Sequence, residues 1–143
     1  MIIQSTRFGE IEVSDEKLNT FEAGIFGFEN YKRYALLQLD VEESVFHILQ
    51  SLEDADLALV VAEPFLFKPD YEFDLPKMVI EQLGIQSEED TQVYGIVTVR
   101  AQDNVTINLK APVILNKRLN KAAQIVLDSY EYSLRHPLVK GGA

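Results

Sequence analysis

Asn104-Val-Thr-Ile-Asn-Leu-Lys-Ala-Pro-Val-Ile-Leu-Asn116 places apolar side chains at Val105, Ile107, Leu109, Ala111, Val113 and Leu115, with Thr106, Asn108 and Lys110 between them. Period-two alternation of this length describes a long β-strand with one buried and one wet face. Pro112 has no N–H to give to a ladder, so pairing must change, bend or stop near it.

Working outward, the runs Phe8 to Val13, Tyr34 to Leu39, Val45 to Leu49, Leu57 to Ala62 and Val93 to Val99 are rich in Val, Ile, Phe and Tyr and are separated by polar or acidic turns. Such spacing predicts a mostly antiparallel barrel or sandwich. Asp103-Asn104 reads as the tip of a hairpin joining Val93–Val99 to the long strand, because Asp and Asn tolerate left-handed backbone. One short helix is signalled: Asp74 can cap it, Pro76 fits a first turn, Leu75, Val79 and Leu83 share a face, and Gly84 can end it. Residues 119 to 130 fit two patterns, since Leu119, Ala122, Ala123, Val126, Leu127 and Tyr130 form a helical stripe while Ala123, Ile125 and Leu127 also alternate. Periodicity alone favours the helix.

The 143 residues, 47% apolar, fit a single domain spanning 1–143 with one sizeable core. The net charge is −10, with 5 Lys or Arg against 16 Asp or Glu over residues 1 to 74 and 8 against 7 over residues 75 to 143. That balance disfavours a direct grip on nucleic acid and admits a basic partner. Zero Cys excludes disulfides, thiolate catalysis and Cys-based metal sites, and no segment has the length of a membrane span or the form of a signal peptide. A cytoplasmic location is expected.

Catalytic patterns are thin. His47 lies within an apolar run and His136 within Arg135-His-Pro-Leu138, with no paired metal-ligand spacing and no nucleophile elbow. Neither a catalytic residue, a metal nor a cofactor is predicted. Glu53, Asp54 and Asp56, and Glu88-Glu-Asp90, read as solvated turn acids, and Lys117, Arg118 and Lys121 as a turn. Gly24 and Gly27 in Phe21-Glu-Ala-Gly-Ile-Phe-Gly-Phe-Glu29 read as a tight bend, because Glu22 and Glu29 would repel a phosphate. Gln50 and Gln124, set in apolar runs, are candidates for stitching strands.

The least ordinary segment is Ala62-Glu-Pro-Phe-Leu-Phe-Lys-Pro-Asp-Tyr-Glu-Phe-Asp74, which sets aromatics beside acids on a loop stiffened by Pro64 and Pro69. Its aromatics could simply cap the core. The same chemistry suits a partner carrying Lys, Arg and apolar groups, with Phe65, Phe67 and Tyr71 as anchors and Glu63, Asp70, Glu72 and Asp74 meeting the basic groups. The rival is a small-ligand or enzymatic barrel with a pocket near His47, Asn108 and Gln124.

Taken in order, Gly24-Ile-Phe-Gly-Phe-Glu29, Leu49-Gln-Ser-Leu52, Glu63-Pro-Phe65, Pro69-Asp-Tyr71, Asn108 to Asn116, Gln124-Ile-Val-Leu127, Tyr130 and Arg135-His-Pro-Leu138 resemble the FliW family of flagellar assembly factors. Lys121-Ala-Ala-Gln124 departs from members that carry Gly shortly before the Gln. The resemblance implies a mostly β, antiparallel barrel-like domain with one short helix, and residues 122 to 127 as a strand returning along Ile107 to Leu115. It also implies a non-enzymatic role. The protein would bind flagellin and, alternately, the RNA-binding translational regulator CsrA, relieving repression of flagellin mRNA without competing for RNA and so coupling flagellin synthesis to secretion.

Overall fold

The computed structural model describes residues 1–38, 45–101 and 104–138. Among these residues eleven strands and one α-helix follow in chain order: β1 (Ile2–Ser5), β2 (Gly9–Glu12), β3 (Leu18–Phe21), β4 (Arg33–Gln38), β5 (Phe46–Ser51), β6 (Ala58–Ala62), α1 (Lys77–Leu83), β7 (Thr91–Ala101), β8 (Asn104–Ile107), β9 (Val113–Asn116), β10 (Lys121–Gln124) and β11 (His136–Pro137). Among the described residues no helix is long and apolar enough to cross a membrane.

The stretch from Asn104 to Asn116 is the seam of the molecule. Both of its halves run antiparallel to β7, β8 through Val97↔Ile107 and β9 through Tyr94↔Val113. Two residues separate those positions on β7 and five on the other side, so the chain loops out at 108–112. The predicted single strand is therefore two strands with a kink between them. Pro112 marks the end of the kink and Asn108 its start: the Asn108 side-chain oxygen accepts from the backbone N–H groups of Lys110 and Ala111, both at 3.0 Å. Such an Asx turn offers the backbone partners that the ladder no longer supplies. Asp103, at the predicted hairpin tip, and Leu39, at the end of a predicted strand, lie outside the described residues.

Because β7 pairs with β6 on one edge and with β9 on the other, the order β7-β6-β5-β4-β3-β10-β9 closes on itself as a seven-stranded barrel. All pairs in it are antiparallel except β10 with β3, which is parallel (Lys121↔Thr20, Ala122↔Phe21). The helical periodicity of residues 119 to 130 thus gives way to the returning strand over 122 to 127 that the family resemblance implies. Lys121–Gln124 form a strand on β9, and the N–H groups of Ile125 and Leu127 continue it onto the carbonyls of Pro112 and Lys110. Its helical stripe arises because the segment is buried on alternating sides by different layers, which period alone cannot separate from a helix face.

Every barrel strand sends a side chain inward: Phe21, Tyr34, Leu49, Val61, Tyr94, Val113 and Ala122 share one buried cluster. A second cluster lies outside the wall, where Ala62, Val97, Ile107 and Ile114 meet Leu83 of α1, Tyr71 of the loop after β6, and Ile125 and Leu127. Hence β9 is buried on both faces, and the expectation of one wet face fails beyond Leu109. The β1–β2 hairpin, not foreseen in full, covers a third cluster of Ile3, Val13 and Ala35.

The helix begins at Lys77 with Pro76 in the cap position, not at an Asp74 cap, and it ends as expected at Gly84 with φ of 65°. That backbone region strains residues with a Cβ. Arg118 donates to the Gly84 carbonyl at 2.8 Å and approaches Asp90 at 3.5 Å, and Asn116 donates to the Leu83 carbonyl at 2.6 Å. The Lys117–Lys121 turn is in this way tied to the end of α1. Gly24 and Gly27, at φ of 74° and 89°, make the predicted bend, and a Cβ on Gly24 would lie 2.6 Å from the Glu29 Cα.

Candidate functional site

The acidic aromatic loop does not stand alone. Glu63, Phe65, Tyr71, Glu72 and Asp74 share a groove of about 640 Å³ with Phe73, Leu75, Ile80, Ile85, Glu88, Gln92 and Val93. Among the described residues that line it, four are carboxylates and none is Lys or Arg. The groove therefore has one sign of charge around an apolar floor, which focuses potential toward a cationic visitor.

Five of the seven predicted contact residues meet there, and they differ in what they can do. Phe65 is 42% exposed and packs its ring 5.7 Å from that of Tyr71. Glu72 and Asp74 are exposed. Tyr71 is a correction: only 2% exposed, it donates its hydroxyl to the Leu109 carbonyl at 2.7 Å and belongs to the core. Burial pushes its phenol well above the ordinary range. An aromatic in an acidic loop gives no sign of which way it turns; here the kink at 108–112 supplies a buried carbonyl in want of a donor.

The other two lie off the groove. Phe67 is half-buried and stacks on Phe46, with centroids 6.5 Å apart. Asp70 is held by Lys68 at 3.1 Å, and that hydrogen bond and charge keep its carboxyl below the usual range.

Two residues that composition did not single out for the groove fix the loop's shape. The Tyr132 hydroxyl accepts from the Glu72 N–H at 3.1 Å and donates to the Glu72 carbonyl at 2.6 Å, while the Tyr130 hydroxyl accepts from the Asp74 N–H at 2.9 Å. The two phenol rings stack at 5.6 Å, and Tyr132 meets Tyr71 edge-on at 4.6 Å. The backbone beneath Glu72 and Asp74 is thereby held in place, so their carboxylates project from a rigid support. Alternating Tyr at 130 and 132 is the only trace of this clamp in the sequence.

The rival pocket is not assembled. Asn108 and Gln124 do line a common second groove, but His47 lines neither groove and stands edge-on to Tyr94 at 5.5 Å. Burial lowers the His47 pKa. Both amides are engaged structurally: Asn108 makes its Asx turn, and Gln124 accepts from the Phe26 N–H at 2.9 Å and donates to the Ala111 carbonyl at 3.0 Å. Gln50, fully buried, donates to the carbonyls of Ala55 and Leu57, each at 3.2 Å. Both glutamines are stitches, but they tie turns and bends to the strands that carry them and do not join strand to strand.

The acidic turns are structural too. Glu53 accepts from the Lys32 N–H at 2.6 Å, and Ser87 and Asp90 form a capping box. Among the described residues no cluster of His, Asp or Glu is arranged to hold a metal ion.

The architecture is that of a flagellar assembly factor. A crystal structure described as the flagellar assembly factor FliW matches it with a TM-score of 0.88 and 38% sequence identity, covering 100% of both chains. The family model for FliW protein matches residues 2–138. The flagellar assembly factor FliW of Alkaliphilus metalliredigens is 43% identical over 143 residues, spanning 98% of this chain and 87% of its own. That of Caldicellulosiruptor saccharolyticus is 46% identical over 138 residues, spanning 96% and 90%. The chain belongs to the FliW family.

Proposed function

We propose that this chain is a cytoplasmic flagellar assembly factor that works by binding proteins rather than by catalysis. It binds and antagonises CsrA, relieving repression of flagellin mRNA, and alternately binds flagellin, so that flagellin secretion frees it to act. The observation that carries this reading is the groove, in which four carboxylates and the exposed Phe65 surround an apolar floor with no cation. A basic partner with apolar side chains is complementary to it, with Phe65, Glu72 and Asp74 as the accessible contacts and Glu63 deeper.

Mutual exclusion needs the two partners to share a surface or to bias one structural element. The kink at 108–112 is suited to the second case. Its Leu109 carbonyl is held by Tyr71 of the acidic groove, and its Ala111 carbonyl by Gln124 of the second groove.

The test is titration calorimetry against CsrA, against flagellin, and against CsrA with flagellin already bound. Saturable binding to each, with the CsrA signal lost after flagellin, is the expected result. Binding to neither would overturn the reading. A Glu72→Lys/Asp74→Lys variant should weaken the CsrA complex about tenfold or more, roughly 1.4 kcal/mol for each factor of ten. Unchanged affinity would remove this groove as the CsrA surface.

A further inference from the structure

The second groove, about 500 Å³ in volume, is the electrical opposite of the first. Among the described residues, Arg100, Lys110 and Arg135 line it and no Asp or Glu does. None of these three forms an ion pair among the described residues, although the chain carries a net charge of −10. Among the described residues, then, no carboxylate neutralises the three cations that line this groove.

The same groove gathers exposed apolar side chains. Phe26 is 50% exposed, Val126 44% and Leu134 58%, and all three line it. Single exposed apolar residues need no explanation, but several around one concavity mark an interaction surface. Phe26 is held outward by construction: it sits between Gly24 and Gly27, and its N–H is fixed by Gln124. Lys110 is borne on the 108–112 kink, whose neighbouring carbonyls are held by Tyr71 and Gln124. Both the apolar and the cationic sides of the groove thus rest on clamped backbone.

We propose that this basic groove docks an acidic peptide segment of a partner protein, with that segment's apolar side chains against Phe26 and Leu134 and its carboxylates at Arg100, Lys110 and Arg135. Charge complementarity selects the occupant. A basic segment is repelled, and a polar acidic one lacks the apolar contacts that supply most of the affinity. Single-stranded nucleic acid also combines anion and ring, but three cations in an acidic chain release few counterions and face long-range repulsion. The proposal goes beyond the acidic groove and does not depend on what binds there.

The experiment is selection of a random-peptide phage library on the wild-type chain, with counter-selection on an Arg100→Glu/Lys110→Glu variant. Selected peptides are then titrated by fluorescence anisotropy and mapped by amide chemical shifts. Recovered sequences should combine Asp or Glu with Phe, Leu or Ile, should bind the variant at least tenfold more weakly, and should shift the amides of Phe26, Lys110 and Leu134. An Arg100→Lys variant should retain most of the affinity, and an unchanged melting temperature of the double variant would show that the fold is intact. Selected sequences without acids, or equal binding to wild type and variant, would overturn the proposal. So would a variant-sensitive complex with a single-stranded RNA oligonucleotide in place of any peptide. A wild-type dimer that the variant abolishes would make the groove a contact between copies instead.

Discussion

The acidic and the basic grooves are built by the same device and carry opposite charge. In each, a loop or bend is held by a side chain from elsewhere in the chain: Tyr132 and Tyr130 clamp residues 72 and 74, and Gln124 clamps residue 26. What differs is the charge gathered around the clamped segment, carboxylates with Phe65 in one case and cations with Phe26 in the other. Between the grooves lies the 108–112 kink, gripped from both sides.

The largest effect should come from Tyr71, which lines the acidic groove and holds the core. Tyr71→Ala should lower stability by about 3–5 kcal/mol, through the cavity and the orphaned Leu109 carbonyl. Phe65→Ala, half exposed, should cost less than ~1 kcal/mol while weakening CsrA binding. Urea unfolding of both variants checks this. Equal losses would mean that the groove cannot be divided into a supporting and a contacting aromatic.

On the other side, Gln124→Ala removes both hydrogen bonds of the clamp and should destabilise by about 1–3 kcal/mol. Hydrogen exchange should speed up at the Phe26 amide more than at amides of β5. A Phe26 amide that stays as protected as in the wild type would show that the bend is held without Gln124.

The smallest effect is a pH dependence at His47, on β5 against the ring of Tyr94. Burial lowers the His47 pKa below its ordinary 6.5, so the unfolded chain takes up a proton before the folded one does. Stability should fall as pH drops below 6.5 and level off once the folded pKa is passed. His47→Gln should flatten this part of the stability profile, measured by urea unfolding across that range. A profile unchanged by the substitution would assign the slope to other groups.

Much of the frame was legible because strand faces of the wall alternate, and the Gly84 stop, the glycine bend and both glutamine stitches each followed from one residue's chemistry. The kink was half legible: Pro112 announced an interruption, but its start depends on the Asn108 side chain replacing ladder partners, which alternation conceals. Residues 121 to 124 were legible as a strand only through the family resemblance, because burial on both faces of a barrel wall erases the distinction between periods. The acidic groove was visible as a loop composition, yet Tyr71 could not be told from Phe65, since inward or outward orientation was decided by a carbonyl 38 residues away. The basic groove left no local mark. Its cations stand at 100, 110 and 135 and converge only when β7, the kink and the segment before β11 are brought together.

The most direct test of the division between the grooves is parallel calorimetric titration of CsrA into two charge-reversed variants, Glu72→Lys/Asp74→Lys and Arg100→Glu/Lys110→Glu. The first variant should lose at least about tenfold in affinity, with a loss that shrinks as salt rises, and the second should bind like the wild type. Loss of CsrA binding in the second variant and not in the first would contradict that division.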